Sequence, residues 1–102
     1  MTEEDYNKSF DLCKDSILIR EDKFEYYLRK NINDFLVDID MTILDNRKLV
    51  KDFLSRLSGL YLNCMLNGQD DYLLGDREKD NSQKGREIIK EYLDNFRRNP
   101  LI

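Results

Sequence analysis

Histidine and tryptophan are absent from the 102 residues, proline occurs once and cysteine twice. Without histidine no Ser-His-Asp or Cys-His arrangement can form, and a zinc site of the usual ligand set is excluded. Cys13 and Cys64 lie far apart with no CxxC spacing. Neither a disulfide framework nor a redox motif is indicated, and both read as small buried side chains in a reducing compartment. The four glycines are scattered singly, so there is no Gly-rich phosphate loop. No apolar run approaches the ~20 residues of a membrane span. The opening MTEEDYNKSF is acidic and polar, unlike a signal peptide. The expectation is one cytoplasmic domain over residues 1–102, with no cofactor, metal or membrane association.

What the chain does have is charge, unevenly spread. Residues 1–45 carry a net −6, 46–69 a net +3, 70–80 a net −3 and 81–102 a net +2, for −4 in all. The only basic cluster is Arg47, Lys48, Lys51 and Arg56, too small for the basic face that direct nucleic-acid binding needs. Whether it forms a second binding face is open. An acidic protein is better matched to the basic surface of another protein, such as a nuclease or another nucleic-acid-binding protein.

Four apolar stripes at helical spacing organise the sequence. Thr2 with Asp5 resembles a capping box ahead of Tyr6, Phe10, Cys13 and Ile17. Asp22 with Glu25 is a second cap candidate, ahead of Phe24, Tyr27, Leu28, Ile32, Phe35, Leu36 and Ile39, with the helix running to about Asp38. Thr42 or Asp45 is placed to cap a third helix along Leu49, Val50, Phe53, Leu54, Leu57, Leu60, Tyr61, Cys64 and Met65, which Asn67 and Gly68 close. Ser58 and Gly59 in its middle suggest a kink or a close crossing. A fourth helix is expected from Asn81 or Ser82, through Ile88, Ile89, Tyr92, Leu93 and Phe96, with Arg97 and Arg98 at its negative end and Pro100 beyond. The fold expected is all-α: a four-helix bundle with a short helical turn in the long acidic loop before the last helix.

Three resemblances bear on function. DFLVDIDMTILDN (34–46) resembles the first motif of the haloacid dehalogenase superfamily, and YLLGDREKD its metal-holding fourth motif. That likeness implies a Mg²⁺-dependent phosphohydrolase with Asp38 as nucleophile, Asp40 as acid, and Asp76 and Asp80 as ligands. Only about 35 residues separate the motifs, short for the intervening strands and crossovers. DREKDNSQKGRE resembles a calcium loop, with Asp76, Glu78, Asp80 and Glu87 at ligand positions but Asn81 where glycine is required. The run from Gly68 through Asp70, Tyr72 and Asp76 into the last helix resembles the acidic segment of the small four-helix immunity proteins of nuclease colicins. In that family an acidic patch with two tyrosines covers a basic surface beside the nuclease site; here Leu73 and Leu74 stand at the tyrosine positions and Gly75 at the proline.

The stretch NGQDDYLLGDREKDN therefore carries the expected site: Asp70, Asp71, Tyr72, Leu73, Asp76, Glu78 and Asp80, with apolar residues to desolvate and acids to rim them. The function expected is a small acidic, non-catalytic inhibitor or immunity-type protein that occludes a partner's basic surface. The alternatives are the Mg²⁺-dependent phosphohydrolase and a homodimeric structural or regulatory protein joined through off-stripe residues such as Leu62 and Leu66.

Overall fold

The computed structural model describes residues 2–37, 39–67 and 76–98, with side chains except those of 21, 64–67, 76–79, 97 and 98. Four helices, α1 (Glu3–Asp15), α2 (Glu21–Val37), α3 (Leu44–Asn67) and α4 (Asp76–Arg98), run alternately up and down, with a 3₁₀ turn at Ser16–Leu18 after α1. The architecture is the expected all-α four-helix bundle, and the described residues contain no strand. None of these helices is long and apolar enough to cross a membrane.

α1 starts where the sequence places it. Thr2 Oγ1 accepts from the Asp5 N–H at 3.1 Å, and Glu3, Glu4 and Asp5 sit at the positive end of the helix. The helix tightens into the 3₁₀ turn before Ile17, which nevertheless stays buried. Ser16 supports this corner by donating from Oγ to Leu12 O at 2.8 Å, while Asn31 of α2 donates to Ser16 Oγ at 2.9 Å.

The other helix starts differ from the sequence reading. α2 opens on the carbonyl of Arg20, which accepts from Lys23 and Phe24 N–H, so Asp22 lies inside the first turn rather than capping it. Thr42 does not cap α3; it gives its backbone N–H and hydroxyl to Asp40 Oδ1 at 2.9 and 2.6 Å, and Asp45 lies within the first turn. α4 begins at Asp76, not at Asn81 or Ser82, and both of those are fully buried.

In cross-section each helix packs beside two neighbours in the cyclic order α1, α2, α4, α3. α2 and α3, consecutive in sequence, thus stand on a diagonal. Their connection crosses the end of the bundle and turns Ile39 and Met41 onto the core. Within that core Phe35 stacks on Phe53 at 3.8 Å between centroids, and the rings of Tyr6 and Phe10 meet Phe53 edge-on. Phe24, Leu28, Ile32, Leu54, Leu57 and Ile89 are buried to 1 % exposure or less, each contributing ~1.5–3 kcal/mol of transfer free energy.

The kink or crossing expected at Ser58 and Gly59 is elsewhere. α3 is continuous there, and a Cβ on Gly59 would meet nothing within 4 Å. The close approach belongs to Gly85 of α4, where a Cβ would run into the Tyr61 ring and stand 3.1 Å from Phe24 Cζ.

Candidate functional site

Asp70, Asp71, Tyr72 and Leu73, and with them the expected helical turn, lie outside the described residues. Asp76, Glu78 and Asp80 fall in the first turns of α4 rather than in a loop. Helical periodicity separates them. Asn81, Ser82, Gly85, Ile88 and Ile89 form the buried face, so positions 76 and 80 fall on the opposite side, whereas 78 aligns with Ser82 and Gly85.

The outward stripe that starts at 76 and 80 continues through Glu87, Glu91 and Asp94 at spacings of three, four or seven residues. Asp80, Glu87 and Glu91 are exposed and Asp94 is partly so. The acids of α4 thus extend along its outer surface beyond the short acidic run of the sequence, interspersed with exposed Lys84 and Lys90.

Beside this stripe lies the outer surface of α2. Arg29 joins the two helices: its Nη2 is 2.8 Å from Glu91 Oε2 and 3.1 Å from Glu25 Oε1. The hydrogen bond to Glu91, reinforced by Glu25, raises the guanidinium pKa further despite partial burial. Tyr92 of α4 donates its hydroxyl to Asn33 Oδ1 at 2.9 Å, and burial raises its pKa above the ordinary phenol value. These bonds fix α2 against α4.

α2 also exposes Tyr26 and Tyr27, 64 % and 40 % accessible, their rings edge-to-face at 5.1 Å. Tyr26 walls a groove of about 320 Å³ with Arg29, Lys30, Asn33 and Asp34. By helical period Tyr27 belongs to the core stripe, and Tyr26 does not stand out. One signal was available: consecutive helical residues point about 100° apart, so two adjacent tyrosines cannot both sit centrally on one buried face.

The metal-dependent resemblances do not survive the geometry. Residues 76–87 form helix, so Asp76, Glu78, Asp80 and Glu87 cannot wrap a calcium ion as a loop does. Residues 34–37 are the last turn of α2, not the strand that a D-x-D-x-T phosphohydrolase motif requires, and Asp38 lies outside the described residues. Asp40 is in a turn, where the Thr42 hydroxyl and then the Thr42 backbone N–H lower its carboxyl pKa. No group of three or more His, Cys, Asp or Glu among the described residues is placed to hold a metal.

The basic cluster divides. Arg56 turns toward α1, donating to the Tyr6 hydroxyl at 3.2 Å with its guanidinium 4.9 Å over the Phe10 ring. Arg47 lies 5.0 Å over Phe96 of α4, which leaves Lys48 and Lys51 as its exposed lysines. Of the residues considered for a dimer contact, Leu62 is partly buried and the side chain of Leu66 is not among those described. No protein-family model, curated protein or solved structure matches this chain.

Proposed function

We propose that the chain is a small, non-catalytic binding protein of the inhibitor or immunity type, which covers a basic functional surface on a partner protein. The observations that carry this reading are the acids of α4 (exposed Asp80, Glu87 and Glu91 and partly exposed Asp94) and the exposed tyrosine pair of α2, the helix to which Glu91 is tied through Arg29. Exposed aromatic side chains supply apolar area to desolvate, and the acids, which alternate with exposed Lys84 and Lys90 on the same helix, supply charge to steer the approach. Asp70, Asp71, Tyr72 and Leu73, which precede Asp76 in the sequence, are the other part of the proposed site. Glu78 shares its line of α4 with Ser82 and Gly85.

The test is capture of a partner at low salt, followed by titration of the purified pair at two ionic strengths. A basic partner whose affinity falls with salt, and falls at least about tenfold for Asp80→Lys/Glu87→Lys or for Asp71→Ala/Tyr72→Ala, is the expected result. Unchanged affinity in both variants, with helical circular dichroism retained, would refute the placement.

A further inference from the structure

On the outer side of the α3–α4 pair lies an open groove of about 520 Å³, lined among the described residues by Ser58 of α3 and by Gln83, Arg86, Glu87, Lys90 and Leu93 of α4. That volume is in the range of small-molecule sites. The state of Arg86 distinguishes it from a bare surface depression. The other arginines with described side chains are engaged: Arg20 with Asp22, Arg29 with Glu25 and Glu91, Arg47 over the Phe96 ring, and Arg56 with Tyr6 and Phe10. Arg86 makes no such contact among the described residues, and its Nε is buried with no protein acceptor.

A guanidinium partly removed from water with an unused N–H bears a desolvation cost that nothing in the fold returns. A guanidinium pairs well with a carboxylate or phosphate. Lys90, one turn further along α4, lines the same groove, and Ser58 and Gln83 add neutral donors. Leu93 supplies an apolar wall. Glu87, the only carboxylate lining the groove among the described residues, disfavours polyanions and sets the site for a single oxyanion.

We propose that the α3–α4 groove is a binding site for a small organic oxyanion, a phosphate or carboxylate on a compact apolar body, with the charged group on Arg86 and Lys90 and the body against Leu93. This goes beyond the protein-docking function and uses different residues, Glu87 excepted.

The test is a two-dimensional NMR titration of the whole chain at constant ionic strength with phenyl phosphate, benzoate and inorganic phosphate. Saturable shifts centred on Ser58, Gln83, Arg86 and Lys90 are expected, with the organic probes binding more tightly than inorganic phosphate. Tighter phenyl phosphate assigns a phosphate ligand, and tighter benzoate a carboxylate; either supports the site. Arg86→Met and Lys90→Met should each weaken binding about tenfold, while Lys84→Met, outside the groove, should not. Thermal midpoints of the variants identify any loss that comes from unfolding, and Lys90→Met keeps the question open to refutation if Arg86→Met fails to fold. Non-saturating shifts with all three probes, or shifts indifferent to both substitutions, would overturn the assignment.

Discussion

The Tyr61 ring of α3 occupies the place where a side chain at position 85 of α4 would have to begin. The two helices approach closely because Gly85 has no Cβ, and Tyr61 secures the contact by donating its hydroxyl to Cys13 O at 2.8 Å.

Opposite outcomes are therefore expected for two glycine-to-alanine changes within helices. Gly85→Ala should destabilise by ~1–3 kcal/mol through overpacking, outweighing a propensity gain of at most ~1 kcal/mol. Gly59→Ala, in open space, should stabilise by ~0.5–1 kcal/mol. Urea denaturation midpoints check both, and a stabilised Gly85→Ala would contradict the packing described.

Much of this fold was legible from period alone. Phe24, Leu28, Ile32 and Phe35 on α2, and Val50, Phe53, Leu54, Leu57 and Tyr61 on α3, recur at helical spacing and are buried as that spacing requires. The start of α4 was not legible. Its first turns carry no apolar stripe, so Asp76–Asp80 read as loop, and Asn81 and Ser82, favoured cap residues, read as the boundary. Asn81 is instead interior because its Nδ2 reaches the carbonyls of Ile17 and Ile19 at 3.0 and 2.8 Å. Those partners lie more than sixty positions earlier in the chain, beyond any local pattern. The candidate site was legible only in its acids; Tyr26 emerged from the geometry, and so did Arg86, whose isolation is visible only once the partners of the other arginines are known.

Cys13 is expected to be chemically inert in the folded protein. Burial first, and the nearby Asp34 charge second, push its thiol up to about 12 from 9.0, so almost no thiolate forms near neutrality. In a Cys64→Ser background, alkylation should proceed only as fast as the protein opens. The unfolded thiol ionises first as pH rises, so this group's contribution is full below 9.0 and is lost between there and about 12. Rapid alkylation under native conditions would show that the side chain is not enclosed.

Asp40 should titrate below its ordinary 3.8, and Thr42→Val should move it back up, because the Thr42 hydroxyl is the larger cause of the shift. Since the folded carboxyl ionises at lower pH than the unfolded one, its contribution is present above the ordinary value. It is lost as pH falls through the folded value. Carboxyl-carbon NMR titration reads both changes, and identical titration curves for the two proteins would exclude the hydroxyl as the cause.

Breaking the Arg29 bridge should cost little. Arg29 and Glu91 are 34 % and 57 % exposed, so Glu91→Gln is expected to lower stability by at most ~1 kcal/mol, and by less in high salt. Denaturation at two salt concentrations measures it. A salt-independent loss of several kcal/mol would mean that the pair is far less solvated than its exposure indicates.

The cyclic order of the helices bears on how the molecule assembles. α1 with α2, and α3 with α4, are neighbours both in sequence and in space, whereas α2 and α3 face each other only across the core. The chain is in effect two unlike helical hairpins joined by the short strap that crosses the bundle end. Each hairpin can close by local contacts, but each then presents an apolar face that only the other can cover. Asn81 ties them by bonding from the second hairpin to the corner of the first, so native register of one is read directly by the other. In folding terms the protein is an intramolecular heterodimer, and neither half on its own is a smaller version of the whole.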